Sequence, residues 1–352
     1  MSPRRLFAGT GLFLLVWAAV AAGQKAEDLN ITVDEVKPGT HLHGPTVGAA
    51  DFKGKVLVVV VWSITDKASV TSVPSLVKWQ DELGSFGLIT VGYHAGDSPP
   101  DDVRARAQAL KINFTVTQGG FIKAGTVTLP HVYLFDHAGK CVFRGVPAQA
   151  EAPLRAAVGG YLADLGQAPK SKGMLPLLDS LKKGQAAPLA VLQKALPLLK
   201  SADAATAEDA KLLVARLYEA GQRRVTDAEA LLTAAVPDPV QAYNLVEKVP
   251  ADFKGTPVAD KAIALLATLK KEKAVAEELK ARPALESIKK LDAFLAPLAA
   301  KTDPKDPAFQ RLNASTLASL RISLQQMQKT FPNAKATLEA AVIAEKYGVA
   351  VK

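Results

Sequence analysis

The 352-residue sequence holds a single cysteine, Cys141, and five histidines: His41, His43, His94, His131 and His137. A lone thiol excludes an intramolecular disulfide framework, a CxxC redox pair and a cysteine-ligated zinc site. Redox chemistry through Cys141 alone would need an exposed thiolate of lowered pKa. Cys141 instead follows a turn on a strand-like run, where a free thiol packs as a small hydrophobe. Alternation there sets Cys141 and Phe143 on one face, Val142 and Arg144 on the other. His41 and His43 share a face if their segment is extended. His94 and His131 are the candidates for a histidine-based metal site. Ser69, His131 and Asp66 are the residue types of a hydrolytic set. Neither idea has local motif support, since HExxH and GxSxG are both missing. Trp62, Trp79 and Tyr93 suit a core better than a ligand platform.

The elements that must position these residues alternate between strand and helix up to about residue 165. Val56 to Val61 is an unbroken apolar run, suited to a strand buried on both faces. A helix over 69–83 follows, with Leu76, Trp79 and Leu83 on one face and a kink at Pro74. Leu88 to Tyr93 is a second strand. Asp101 or Asp102 can cap a helix running to Leu110. His131 to Phe135 is a third strand. Asp136-His137-Ala138-Gly139 is a hairpin turn, with Lys140 to Arg144 returning antiparallel. A helix over 151–165 closes a β-α-β-α-β-β-α order, an α/β sandwich with a mixed sheet flanked by helices.

After Gly166 the strand signals nearly vanish, and 166–173 has linker composition. The pattern over 174–352 predicts an all-α domain with helices over 205–220, 227–235, 240–247, 257–270, 284–300, 312–329 and 335–347. Phe253-Lys254-Gly255-Thr256-Pro257 and Phe331-Pro332-Asn333-Ala334-Lys335 each lead from an aromatic through a turn into an Ala-rich helix. That is the look of a tetratricopeptide-type array. Their separation is not a multiple of the roughly 34-residue period, which leaves irregular repeats and an ordinary bundle both open.

Apolar residues make up 49% and charged residues 22% of the chain, which supports packed cores rather than disorder. Arg4 and Arg5, the apolar stretch Leu6 to Ala22 and the small residues ending at Gly23 have the three parts of a secretory signal over 1–23. The alternative is an uncleaved anchor. The expected location is therefore periplasmic or extracellular, with membrane contact only through that segment. The net charge of +9 comes mostly from lysines scattered at helical spacing with interleaved acids, a solvated face rather than a nucleic-acid site. Asn30-Ile31-Thr32 and Asn113-Phe114-Thr115 fit the N-glycosylation pattern.

Residues 45–165 resemble the redoxin branch of the thioredoxin-like fold, near TlpA-like and AhpC/TSA-related proteins. The resemblance rests on Asp51-Phe52-Lys53-Gly54-Lys55, Val56 to Trp62, Val73-Pro74-Ser75-Leu76, Val127-Thr128-Leu129-Pro130, the turn at Asp136–Gly139, and Gly145. It implies a cis-proline at Pro130 and a disulfide oxidoreductase site at the start of the first helix. The family has Cys-x-x-Cys there, with a proline five residues on. Aligned on Pro74 without a gap, that motif falls on Asp66-Lys67-Ala68-Ser69. Disulfide exchange needs one thiolate to attack and a second thiol to resolve. Asp66 keeps the negative charge that a helix N-terminus favours but supplies no nucleophile.

The residues therefore favour a non-enzymatic binding or scaffold protein, with an extended peptide or protein held near the Pro130 loop. A further partner could use the helical domain. No cofactor is expected. The alternatives are a divergent thiol oxidoreductase or peroxidase using Cys141, and a metal binder using His94 or His131.

Overall fold

The computed structural model describes residues 29–122 and 128–349. The expected signal segment and Val127 of the proline loop lie outside the described residues. The chain divides into two units. One comprises Met1–Gly84, Leu88–Tyr161 and Lys182–Gly184; the other comprises Ser85–Gly87, Leu162–Leu181 and Gln185–Lys352.

The first unit runs β1 (Val36–Lys37), β2 (Thr40–His43), β3 (Val56–Trp62), α1 (Lys67–Leu83), β4 (Leu88–His94), α2 (Pro100–Ala109), β5 (Thr115–Gln118), β6 (Phe121–Ile122), β7 (His131–Phe135), β8 (Cys141–Gly145) and α3 (Pro147–Ala163). Six strands form one mixed sheet in the order β2-β5-β4-β3-β7-β8. β3, β4 and β5 are parallel, and β2, β7 and β8 pair antiparallel with their neighbours. A β-α-β-α-β half, a cis peptide before Pro130 and a β-hairpin with a closing helix make this a thioredoxin-like α/β sandwich.

β3 is central and covered on both sides. Val56 through Val60 are each at most 1% exposed, and each such side chain contributes about 1.5–3 kcal/mol on full burial. Leu57 and Val59 pack with Tyr133, Phe135 and Cys141 beneath Ile31, Val36 and Phe52 of the preceding segment. The pleat sends Val58, Val60 and Trp62 to the opposite face, with Thr90, Gly92 and His94 in register beside them. Arg155 of α3 ties that helix to α1 through Glu82 at 2.8 Å.

Several expectations are corrected. β5, with no strong apolar run, is an additional parallel strand after α2. The N-cap of α2 is Pro99, and Asp101 and Asp102 sit inside its first turn. There their charge favours the helix dipole without a capping bond. β-Bulges also break two alternations. His41 pairs with Thr117 but His43 with Val116, so the two histidines point to opposite faces. Leu134 pairs with Phe143 but Phe135 with Cys141, so Cys141 and Phe143 are also split. Arg144, opposite Tyr133, shares the face of Cys141.

The second unit contains α4 (Leu175–Lys182), α5 (Pro188–Ala195), α6 (Ala204–Thr233), α7 (Pro239–Val246), α8 (Val249–Asp252), α9 (Pro257–Leu269), α10 (Lys273–Ala299), α11 (Pro307–Leu312), α12 (Ala314–Thr330) and α13 (Lys335–Lys346). The break expected between residues 220 and 227 is absent, because α6 runs straight through Gly221. A Cβ there would lie 2.7 Å from Val258 Cγ1 and 3.1 Å from the Phe253 ring. The glycine therefore permits close packing rather than a turn. α10 likewise continues through Pro283, held by the buried Ala281, Leu285 and Ile288 around it. The start of α13 is capped from α10: Glu278 accepts from the Ala336 amide at 3.0 Å and Glu277 from Asn333 at 3.1 Å. Among the described residues no helix is long and apolar enough to cross a membrane.

Candidate functional site

Where β3 gives way to α1, the backbone must turn and the first helical amides lack partners. Asp66 is the N-cap residue, and its carboxylate accepts the Ser69 amide at 2.6 Å. The Ser69 hydroxyl and amide hold the Asp66 carboxyl below its ordinary value. Ser69 itself is fully buried, and its Oγ accepts the Ser63 amide at 3.2 Å. Ser63 Oγ in turn meets Thr65 Oγ1 at 2.9 Å. The Ile64 amide donates to His94 Nε2 at 3.3 Å. With Nε2 accepting, the His94 proton sits on Nδ1, which is buried without a partner. Burial lowers the pKa of His94, so the ring is neutral near pH 7 and can keep accepting. Its edge meets Trp62 at 5.9 Å between centroids.

The proline loop approaches the same end of the sheet. His131, directly after Pro130, pairs with Val61 near the end of β3. This register sends His131 to the face of Val61, whereas Trp62 and His94 occupy the other. His94 and His131 are therefore separated by the sheet and share no metal position. Among the described residues no three of His, Cys, Asp or Glu come together as a metal-binding group. The hydrolytic set also fails geometrically. Ser69 Oγ accepts the Ser63 amide and faces the Asp66 carboxylate, and His131 Nε2 has no hydrogen-bond partner, so the histidine does not serve the hydroxyl as its base. Burial, followed by the charge of Arg144, lowers the pKa of His131, whose ring packs on Tyr133 at 4.9 Å.

Cys141 is fully buried in the sheet. Its amide donates to the Ile31 carbonyl at 3.1 Å and its Sγ to the Phe143 carbonyl at 3.5 Å. Burial pushes the thiol up to about 11, the opposite of what a reactive thiolate requires. Sequence reasoning did not single out the Ser63 and Thr65 hydroxyls or the Ile64 amide as parts of this site. The available signal was a run of polar residues directly after an apolar strand. Of the candidate glycosylation sites, Asn113 is engaged: its amide donates to Asp81 at 2.7 Å and to the Val77 carbonyl at 3.2 Å.

A pH dependence follows from the cap. Asp66 has a lower pKa folded than unfolded, so its contribution to stability is present above the ordinary value of 3.8 and is lost as pH falls through the folded value. Asp66→Asn is expected to lower the urea midpoint at pH 7. It should also flatten the decline in stability below about pH 4, read by urea titrations at several pH values. An unchanged acid profile would mean that the carboxylate does not hold the helix start.

Chemically, this helix N-terminus presents a fixed carboxylate and a buried hydroxyl, with Thr65, Lys67 and Ala68 exposed beside it and Thr128 exposed before the proline. No family model and no curated protein matches the chain. Solved structures do resemble part of it. One is a thioredoxin-family thiol:disulfide interchange protein from Chlorobium tepidum TLS. It is 18% identical, with 35% of this chain and 97% of that one covered, at a TM-score of 0.30. Another is a DsbF homologue from Corynebacterium diphtheriae, 18% identical over 35% of this chain and 83% of the other, at 0.31. A third is a thiol-disulfide isomerase from Corynebacterium glutamicum, 17% identical over 34% and 86%, at 0.29.

Proposed function

We propose that this chain is an exported binding protein that uses a thioredoxin-like unit without thiol chemistry. Its ligand is an extended peptide or protein segment held beside the β3–α1 turn and the Pro130 loop. The observation that carries the reading is the helix start itself. The place where the fold family keeps its attacking thiolate holds Asp66, committed to the Ser69 amide at 2.6 Å. The one cysteine of the chain is buried in the sheet. Fold alone does not carry an activity whose groups are missing. Export rests on the Arg4–Gly23 pattern, and a scaffold role for the helical unit on its length and its succession of packed helices.

The test is binding of fluorescent extended peptides to the full chain and to an Ala68→Trp variant. The exposed first turn of α1 accepts the larger ring without disturbing the core. Peptides that bind the chain are expected to lose at least about tenfold in affinity, close to 1.4 kcal/mol, in the variant. Equal binding to both proteins would place the ligand elsewhere. No binding by any peptide would remove the reading.

A further inference from the structure

The helical unit contains a repeat that the chain's sequence identities hardly reveal. Positions buried between Ala242 and Leu269 recur, at the Phe253-to-Phe331 interval, between Leu320 and Tyr347. Ala262 then falls on Ala340 and Val249 on Met327, all buried. Two buried positions lack a fully buried counterpart. Phe331 is half-buried where Phe253 is buried, and Arg321 is exposed where Tyr243 is buried.

The second difference has a visible cause. In the first repeat, α10 lies on α7. Arg282 of α10 stands 5.4 Å above the Tyr243 ring, reaches Glu247 at 3.1 Å and bonds Asn244. The counterparts of Tyr243, Asn244 and Glu247 are Arg321, Ile322 and Gln325 on α12. Among the described residues no helix covers them, and Ile322 is 66% exposed. Stacked helical repeats bury the outer face of each unit against the next, so this face is the continuation point of an interface already used once.

We infer that Arg321, Ile322 and Gln325 form a docking face for an amphipathic helix of a different protein, lying where α10 lies on α7. Its chemistry is set by the exchanged residues. An aromatic and an acid that receive Arg282 in the first repeat become an arginine and a neutral amide in the second. The incoming helix therefore carries an acidic side chain in place of Arg282 and an apolar one over Ile322. A second copy of this chain is a poorer occupant. Its α6, which packs on α7 and α9 as α10 packs on α12 and α13, is already covered by α5 and the 3-10 helix Leu196–Lys200.

The probe is a synthetic peptide spanning Lys273–Lys290 of this chain with Arg282→Glu, titrated against the full-length protein by fluorescence anisotropy. Saturable binding is expected, weakened at least about tenfold by Ile322→Glu and by Arg321→Glu. The unaltered Lys273–Lys290 peptide should prefer the Arg321→Glu protein, because the charges are then exchanged. Both substituted side chains are exposed, so the thermal midpoints should not move. If Ile322→Glu does lower its midpoint, Ile322→Ser takes its place. Binding that is absent, or equal for all proteins, overturns the proposal. A concentration-dependent dimer abolished by Ile322→Glu in sedimentation would assign the face to a second copy and overturn the stated occupant.

Discussion

Replacing Asp66 and Ser69 together by cysteine is expected to give this chain a disulfide reductase activity that depends on both new thiols. The two positions already have the unequal environments that thiol exchange uses. Asp66 is half-exposed at the N-cap of α1, and Ser69 is buried in the first turn. A thiol at the cap would meet the positive end of the helix dipole and the amide that Asp66 now occupies, which lowers its pKa and makes it the attacking thiolate. The inner thiol would resolve the mixed disulfide. With dithiothreitol as electron donor and insulin as disulfide, insulin is reduced and dithiothreitol oxidised. The double variant should exceed the unaltered chain by at least about tenfold, with a single Asp66→Cys variant stalling as the mixed disulfide. A folded double variant with the unaltered chain's background rate would show that these positions are not equivalent to a CxxC pair.

Trp62→Ala should be the most damaging single change near the site, with an expected loss of about 3–5 kcal/mol from a total on the order of 5–15 kcal/mol. Trp62 is 1% exposed. Its indole fills the space left open by Gly92, where a Cβ would stand 2.9 Å from Nε1 and 3.2 Å from Phe114. Its edge contact with His94 also fixes the ring that accepts the Ile64 amide. Because Nε1 has no hydrogen-bond partner, the loss comes from packing and cavity formation rather than from a broken bond. Urea unfolding of the full chain reads it as a lower midpoint. A loss under about 1 kcal/mol would mean that the neighbours collapse into the space. Gly92→Ala should also destabilise, by overpacking at about 1–3 kcal/mol. Combined with Trp62→Ala it should cost less than the sum, since the added methyl then enters the cavity.

The sequence made the central strand, the hairpin and the Asp66 cap legible because each has a local cause. Val56 to Val61 has the β-branched apolar run of a doubly buried strand, and Asp66 before a helical run is a preferred cap residue. Features set by distant partners were hidden. The split of His41 from His43, and of Cys141 from Phe143, comes from bulges, and a bulge shifts the pairing without altering local composition. Gly221 and Pro283 looked like breaks, but tertiary packing of α6 and α10 overrides both. β5 was missed because its residues Thr115-Val116-Thr117-Gln118 gain strand character only from lying between β2 and β4. At the site, the resemblance implied the cis peptide found before Pro130, and it was the family motif aligned on Pro74 that drew attention to Asp66 and Ser69. The role of His94 as acceptor for the Ile64 amide depends on a contact between residues thirty positions apart, which no local pattern records.

The most direct test of the central claim is disulfide reductase and peroxidase activity of the chain freed of its first 23 residues, measured beside a Cys141→Ser variant. A binding protein with a buried, high-pKa thiol predicts no turnover above background in either protein. Activity in the unaltered chain that disappears in Cys141→Ser would contradict the account and make Cys141 the reactive centre.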